Sequence, residues 1–158
     1  MLLDLPTAKL HLRVIGNDED STITLYAMAA EQAAISFLDR AVYVDGTALA
    51  AAIAAAPAAL SAATVAYNAA ITAAALVVDP VEQSEAVRVA QSNYMRAQIA
   101  SRQTNDGMVV NEAIKAAMLL TLGTLYAQRE DAVIGVSVAS LPNGAQWLLF
   151  PYRMSLGV

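Results

Sequence analysis

The sequence predicts an all-α protein, a small helical bundle followed by an extended C-terminal segment. Hydrophobic residues make up 58% of the chain and charged residues only 15%, and much of the apolar share is alanine, the strongest helix former. Apolar residues also recur at helical spacing behind recognisable helix starts. A length of 158 residues suits one domain with a real core.

Charge and cysteine content exclude several classes of function. The net charge is −5 and the isoelectric point about 4.6, which argues against a protein that grips nucleic acid with a basic surface. The chain has no cysteine, and therefore no disulfide framework, thiolate nucleophile or zinc–thiolate site. Residues Met1–Pro6 contain an acid and no basic stretch, so we do not expect a secretory signal there.

Two helices are predicted in the first forty residues. A short helix begins at Pro6 or Thr7, because proline suits the first helical turn, and runs to Val14. The acidic stretch from Asp18 favours a second helix start, since acids are stabilised at a helix N-terminus, and this helix continues to about Arg40. Its helical spacing predicts a buried stripe of Ile23, Ala27, Ala30, Ala34 and Phe37 or Leu38.

The composition changes abruptly after the second helix. Gly46–Val78 contains no charged residue, and 17 of the 30 residues in Ala48–Val77 are alanine. Because Pro57 interrupts the run, we expect two close-packed helices, Thr47–Ala56 and Ala58–Val77. A membrane span is the alternative, but alanine is weakly apolar, polar residues dilute the run, and flanking Lys or Arg is missing.

The remaining elements are a polar helix, an apolar helix and a short strand. Asp79 as cap and Pro80 at the first position start the polar helix, which runs to about Arg102. The next helix, about Val109 to Glu130, is apolar nearly all round and should be buried on most sides. Ala132–Ser140 is rich in Val and Ile and predicts an extended segment or short strand.

No arrangement of residues in the sequence indicates catalysis. His11 is the only histidine and is best interpreted as a helical surface or interface residue, since no second histidine completes a metal pair. Asp18, Glu19 and Asp20 lack the ligand spacing of a calcium loop, so a helix-start role explains them better. The serines stand in no nucleophile-elbow pattern. We therefore expect no enzyme activity, metal or cofactor.

The chain ends in a compact apolar run that needs a surface to cover it. Its large aromatic and arginine side chains are of the types that dominate interfaces. The candidate docking residues are Trp147, Leu148, Leu149, Phe150, Tyr152 and Arg153. Alternatively, Trp147 and Leu149 fold back on their own core, or Trp147 is tucked in while Tyr152 and Arg153 remain outside.

Short motifs at both ends of the chain occur together in one protein family. The C-terminal motifs are Tyr-x-x-Arg-Glu, Leu-Pro-x-Gly and Leu-Leu-x-Pro-x-Arg, carried by Tyr126, Arg129, Glu130, Leu141, Pro142, Gly144, Leu148, Leu149, Pro151 and Arg153. Lys9, Leu12 and Arg13 precede the acidic helix start. In this order and spacing, the motifs resemble those of the head–tail connector (adaptor, or head-completion) proteins of long-tailed bacteriophages. The two matching zones cover about half the chain, and the alanine-rich insertion departs from the family pattern.

The resemblance implies a structural virion protein without catalysis. Such a protein forms a homo-oligomeric ring, usually of about twelve subunits, in which one face of each subunit meets a different face of the next. The ring docks beneath the portal, contacts a downstream neck, stopper or tail protein, and continues a channel through which DNA passes non-specifically. The implied location is the neck of the virion after synthesis in the host cytoplasm, and no membrane is expected.

The predicted organisation is a helical domain over residues 1–131, with the insertion at about 47–77, and a docking segment over 132–158. Three other functions stay open. Another neck component, such as a stopper or tail terminator, tends to be β-rich, which the helical composition disfavours. The hypothesis of a membrane-associated protein is based on the uncharged stretch Gly46–Val78. A small acidic enzyme or binding module would need a site that the sequence does not supply.

Overall fold

The computed structural model describes residues 1–128 and 144–154 and confirms an all-α fold. The helices among these residues are α1 (Leu5–Leu12), α2 (Asp20–Leu38), α3 (Gly46–Ala74), α4 (Pro80–Asn105), α5 (Glu112–Ala127) and α6 (Gly144–Leu149), and a 3₁₀ turn follows at Phe150–Tyr152. Two very short strands are β1 (Val42–Tyr43) and β2 (Met108–Val109).

The chain divides into two compact units. The first contains Met1–Asp45 and the described residues from Met108 onward, and the second is Gly46–Gly107. The inserted unit is therefore longer than the predicted residues 47–77. It includes α4 as well as α3, because these two helices pack against each other. Residues 144–154 belong to the first unit and are not a segment separate from it.

The core of the first unit lies where α2 packs against α5. The predicted stripe of α2 is buried, and its last buried residue is Leu38. The alternative last residue, Phe37, is half-buried. Three alanines in that stripe bring the α2 backbone close to its neighbours, and Ile114, Met118 and Leu122 of α5 fill the space. Burying each large apolar side chain contributes about 1.5–3 kcal/mol.

The first unit contains a small parallel pair of strands that the sequence did not predict, one strand before the insertion and one after it. Val42 pairs with Met108 and Tyr43 with Val109. The backbone N–H of Met108 donates to the Ala41 carbonyl at 3.0 Å, and that of Val110 donates to the Tyr43 carbonyl at 2.8 Å. Strands of two residues leave too little periodicity for sequence analysis to detect.

The inserted unit is a hairpin of two long helices. The prediction of two helices separated at Pro57 was wrong, because α3 is one helix of 29 residues with the proline inside it. The alanines on both sides favour helix strongly enough to continue through the missing N–H. Along the shared seam, Tyr67 of α3 stacks on Tyr94 of α4, with ring centroids 5.1 Å apart.

The prediction of an extended C-terminal segment was wrong for residues 144–152, which form α6 and the 3₁₀ turn. Helix formation in this segment brings Leu149 into the core. The predicted strand Ala132–Ser140 lies outside the described residues. The same holds for the motif residues Arg129, Glu130, Leu141 and Pro142.

Candidate docking surface

The C-terminal docking residues fall into two groups, one buried and one exposed. Leu149 is only 4% exposed and Leu148 is half-buried, and both pack against the core of the first unit. A Cβ atom on Gly144 would lie 3.7 Å from Cδ1 of Leu120, so α6 begins close to the surface of α5. The Leu-Leu pair therefore anchors the segment, as the fold-back alternative predicted for Leu149.

Two of the three aromatic side chains in residues 144–154 are exposed. Trp147 is 78% exposed and Phe150 is 56% exposed, while Tyr152 and Arg153 are half-buried. This is the reverse of the mixed arrangement, in which Trp147 was inside and Tyr152 and Arg153 outside. Helix α6 produces the division, because a turn of helix directs Trp147 and Leu149 to different sides.

Polar contacts fasten the last described residues to the C-terminal end of α2. Arg40 Nη1 donates to the carbonyl of Tyr152 at 3.4 Å, and the N–H of Met154 donates to the carbonyl of Leu38 at 3.1 Å. The guanidinium carbon of Arg153 lies 5.0 Å from the centroid of the Phe37 ring. A cation at this distance over an aromatic face is attracted by the ring quadrupole.

These contacts leave a groove beside the exposed aromatic side chains. The groove has a volume of about 540 Å³ and is lined by Phe37, Gln146, Trp147, Phe150, Pro151 and Arg153. Nε of Arg153 is buried and has no hydrogen-bond partner among residues 1–128 and 144–154. The groove can therefore bind an apolar side chain and offers a cation to a nearby carboxylate. We call it the aromatic groove.

A second set of exposed apolar side chains lies in the last turn of α1 and in the segment that leads to α2. Leu10 is 80% exposed and Ile15 is 97% exposed, and the exposed carboxylate of Asp18 follows three residues after Ile15. Arg13 ends α1 with a left-handed backbone, φ 58°, and its N–H donates to the Leu10 carbonyl at 3.2 Å. Sequence analysis did not single out Leu10 and Ile15, because the exposure of an aliphatic side chain depends on tertiary packing. We call Leu10, Ile15 and Asp18 the apolar knob.

The structure brings together motif residues from the two ends of the chain. Lys9 Nζ lies 2.6 Å from Oδ1 of Asp20 and 2.7 Å from Oδ1 of Asn17. The hydroxyl of Tyr126, at the end of α5, donates to Oε2 of Glu19. The acidic start of α2 is thus held from α1 on one side and from α5 on the other. Of the other motif residues in the described chain, Arg13 is the exposed cap of α1.

The single histidine, His11, lies on the surface beside α5 in the part of the chain that the structure describes. Nε2 of His11 lies 3.4 Å from the position that a Cβ on Gly123 would take, so the exposed imidazole lies over the glycine of α5. Among the described residues, no three His, Asp or Glu side chains are grouped as they would be around a metal ion.

One described helix, α3, is long and apolar enough to cross a bilayer by length and composition alone. Only 6% of the residues in its most apolar window of 18 are buried within the protein. The exposed part of α3 is therefore a third apolar region, located in the inserted unit.

No protein-family model, curated protein or solved structure matches this chain.

Proposed function

We propose that this protein is the repeating subunit of a head–tail connector ring in a tailed bacteriophage. The ring docks on the portal, joins the capsid to the next neck or tail protein, and lets DNA pass through its channel without catalysis. One observation carries the proposal. Two of the motif residues that resemble the connector family, Lys9 and Tyr126, are far apart in the sequence, and both contact the acidic start of α2, through Lys9–Asp20 and Tyr126–Glu19.

The exposed apolar surfaces of the first unit support a ring. A closed ring needs two different faces on each subunit, because each copy contacts one neighbour on each side. The aromatic groove and the apolar knob are two such faces, and both expose large hydrophobic side chains to solvent. A contiguous exposed apolar patch is typical of an interaction site.

The charge of the protein supports a conduit for DNA. A net charge of −5 repels phosphate groups, so a duplex experiences little retention as it moves through a ring of such subunits. A protein that grips DNA would need a cluster of Lys and Arg. The chain has nine of these residues in total against 14 acids.

Light scattering and electron microscopy of the purified protein, with and without portal, test the proposal. We expect closed rings, or a density that caps the portal. The double variant Trp147→Ala/Phe150→Ala should weaken assembly, since it removes exposed side chains that are not needed by the core. Val78→Ala is the matched control, because Val78 is 95% exposed but lies in the inserted unit. A monomer that requires detergent and leaves the portal bare would overturn the proposal.

A membrane-associated protein is the second candidate, and α3 is the observation that favours it. A helix of 29 residues is about 43 Å long, more than the roughly 30 Å of a hydrocarbon core, and it carries no charge. Flotation with lipid vesicles separates the candidates. The connector proposal expects the protein to stay in the aqueous fraction. Flotation that Val65→Lys abolishes and Arg96→Lys preserves would favour the membrane.

A stopper or tail terminator is a less suitable neck component for this chain. Those proteins tend to be β-rich, whereas the strands among the described residues are two residues long each.

A further inference from the structure

We propose that the aromatic groove of one copy of this chain receives the apolar knob of the next copy. The proposal rests on the ring described above and names the contact that builds it. The occupant of the groove is a second copy, entering with Leu10, Ile15 and Asp18. Three observations carry this assignment: the shape and chemistry of the groove, the chemistry of the knob, and their positions on α2.

The groove is complementary to a partner that has an apolar side chain and a negative charge. Trp147 and Phe150 present bare aromatic surface on its walls. Arg153 forms the polar edge, with its guanidinium over Phe37 and a buried Nε that lacks an acceptor in the described chain. A buried donor without an acceptor is unfavourable, so a carboxylate arriving at this edge is stabilised more than at an open surface.

The knob has both properties in the right combination. Ile15 is almost completely exposed and Leu10 nearly so, which is costly for aliphatic side chains without a partner. Asp18 is exposed close behind them in the sequence, in the turn that leads into α2. The aliphatic side chains of the knob therefore match the aromatic walls of the groove, and Asp18 matches Arg153 at its edge.

The two surfaces lie at opposite ends of α2, so the knob of one copy cannot occupy the groove of the same copy. The knob precedes the first residue of α2, and the groove includes Phe37 at its last turn. A helix of 19 residues separates these ends by about 27 Å. A contact between different surfaces is heterologous, and repetition of it generates a ring or a filament.

Cross-linking tests the contact directly, because the chain has no cysteine and every thiol can be placed by design. Gly16→Cys sits beside the knob, where a Cβ would lie 3.8 Å from Oδ2 of Asp18, an ordinary contact, and Gln146→Cys is an exposed position on the groove. In a mixture of the two single variants, a short bismaleimide should produce heterodimers. The double variant should produce a ladder of oligomers. Val78→Cys replaces Gly16→Cys in the control mixture.

A charge exchange tests the pairing independently. Asp18→Arg places like charges together and should weaken self-association about tenfold, with a smaller effect at high salt. Adding Arg153→Asp to the same chain should restore association. Because Arg153 also contacts Phe37, the thermal melt of each variant must first show that it is folded. Trp147→Ser, at an exposed position, provides a variant that weakens association without changing charge.

The outcomes separate this contact from the proposed function. Rings that form with no excess of the knob–groove cross-link over the control overturn the contact and leave the connector proposal standing. Cross-linking of Gln146→Cys to itself would show that two grooves meet, which also overturns it. Loss of portal binding by Trp147→Ser with unchanged self-association would assign the groove to the portal. A chain that stays monomeric alone and on the portal would overturn both proposals.

Discussion

Single residues determine where the helices of the first unit begin and end. Asp4 caps α1, and its Oδ1 accepts a hydrogen bond from the N–H of Thr7 at 3.1 Å. Asn111 caps α5 in the same way, accepting from the N–H of Ile114 at 2.9 Å. Arg13 ends α1 in the left-handed region, a conformation that is uncommon for a residue with a side chain. These short-range interactions fix where α1 and α5 begin and where α1 ends.

Asp4 should make stability depend on pH at the acid end. Hydrogen bonds from Thr7 hold the pKa of its carboxyl below the ordinary value of 3.8. Because the pKa is lower in the folded state, the ionised carboxyl contributes its full stability at any pH above the pKa of the unfolded chain. This stability is lost as the pH falls through the pKa of the folded state. Asp4→Ala should therefore lower the melting temperature at neutral pH, and the difference from wild type should shrink at strongly acidic pH.

Asp4→Asn is the control for this prediction, since asparagine keeps a cap acceptor without a titrating charge. Its melting temperature should stay close to that of the wild type. A carboxyl carbon resonance of Asp4 that titrates at or above the ordinary value would contradict the prediction.

Tyr126 should contribute to stability through its hydroxyl group. The hydroxyl donates to Glu19, which is half-buried at the start of α2. Tyr126→Phe removes the donor and leaves the carboxylate with one fewer partner, so the free energy of unfolding should fall by about 1 kcal/mol. Chemical denaturation followed by circular dichroism measures the loss.

Tyr67→Phe is the matched control, because it removes a tyrosine hydroxyl but preserves the ring that stacks on Tyr94. Its effect should be smaller than that of Tyr126→Phe. Equal effects of the two substitutions would show that the Glu19 contact adds no stability.

At the scale of elements, helix α3 shows how composition overrides a single helix breaker. Ala56 and Ala74 are buried in the hairpin, together with Ala90 of α4, so small side chains occupy the close approach of the two helices. Pro57 is exposed on α3, where it lacks the N–H of a normal helical residue. The alanine-rich flanks and the long seam with α4 keep the helix continuous despite this cost.

Pro57→Ala should stabilise the hairpin. Within a continuous helix the substitution restores one backbone hydrogen bond and should raise the local free energy of unfolding by up to about 3 kcal/mol. Amide hydrogen exchange over α3 measures this change. If two helices met at Pro57, the proline would suit the first turn of the second one, and its removal would bring no gain.

Ala59→Gly is the comparison for this prediction, at an exposed position two residues further along the same helix. It should lower the local free energy of unfolding by about 1 kcal/mol, because glycine loses more backbone entropy in a helix. Opposite signs for the two variants would establish that both positions are inside one helix.

At the scale of the whole molecule, the hairpin is an insertion between two paired strands. The chain leaves the first unit after β1 and returns at β2, and the two strands are hydrogen-bonded neighbours. The core of the first unit is formed by residues from both sides of the insertion, such as Ile23 and Met118. The first unit therefore contains a complete core without the hairpin.

Replacing Gly46–Gly107 with a flexible linker of about ten residues should leave a folded first unit. The strand ends to be joined are adjacent, and such a linker reaches far more than the distance between paired strands. Cooperative thermal unfolding and dispersed amide resonances are the expected results. A chain without cooperative unfolding would contradict the prediction.

Deletion of Gly144–Met154 is the control for this variant. It removes far fewer residues but takes Leu149 out of the core, and loss of a large buried aliphatic side chain costs about 2–5 kcal/mol. The smaller deletion should therefore destabilise the first unit more than the larger one.

The sequence by itself determined the features that depend on local interactions. The all-α class, the start of α4 at Asp79–Pro80 and the buried stripe of α2 all follow from propensity, capping and spacing within about one to five helical turns. The same local information identified the apolar C-terminal run that supplies the aromatic groove.

Only the tertiary structure decided which residues of that run are buried. Trp147 and Leu149 have similar apolar character in the sequence, but one is exposed and the other is in the core. The continuity of α3 through Pro57 and the pairing of β1 with β2 were decided in the same way. Each outcome depends on partners that are distant in the sequence, because burial and strand pairing are energies of contact between elements and not properties of a single segment.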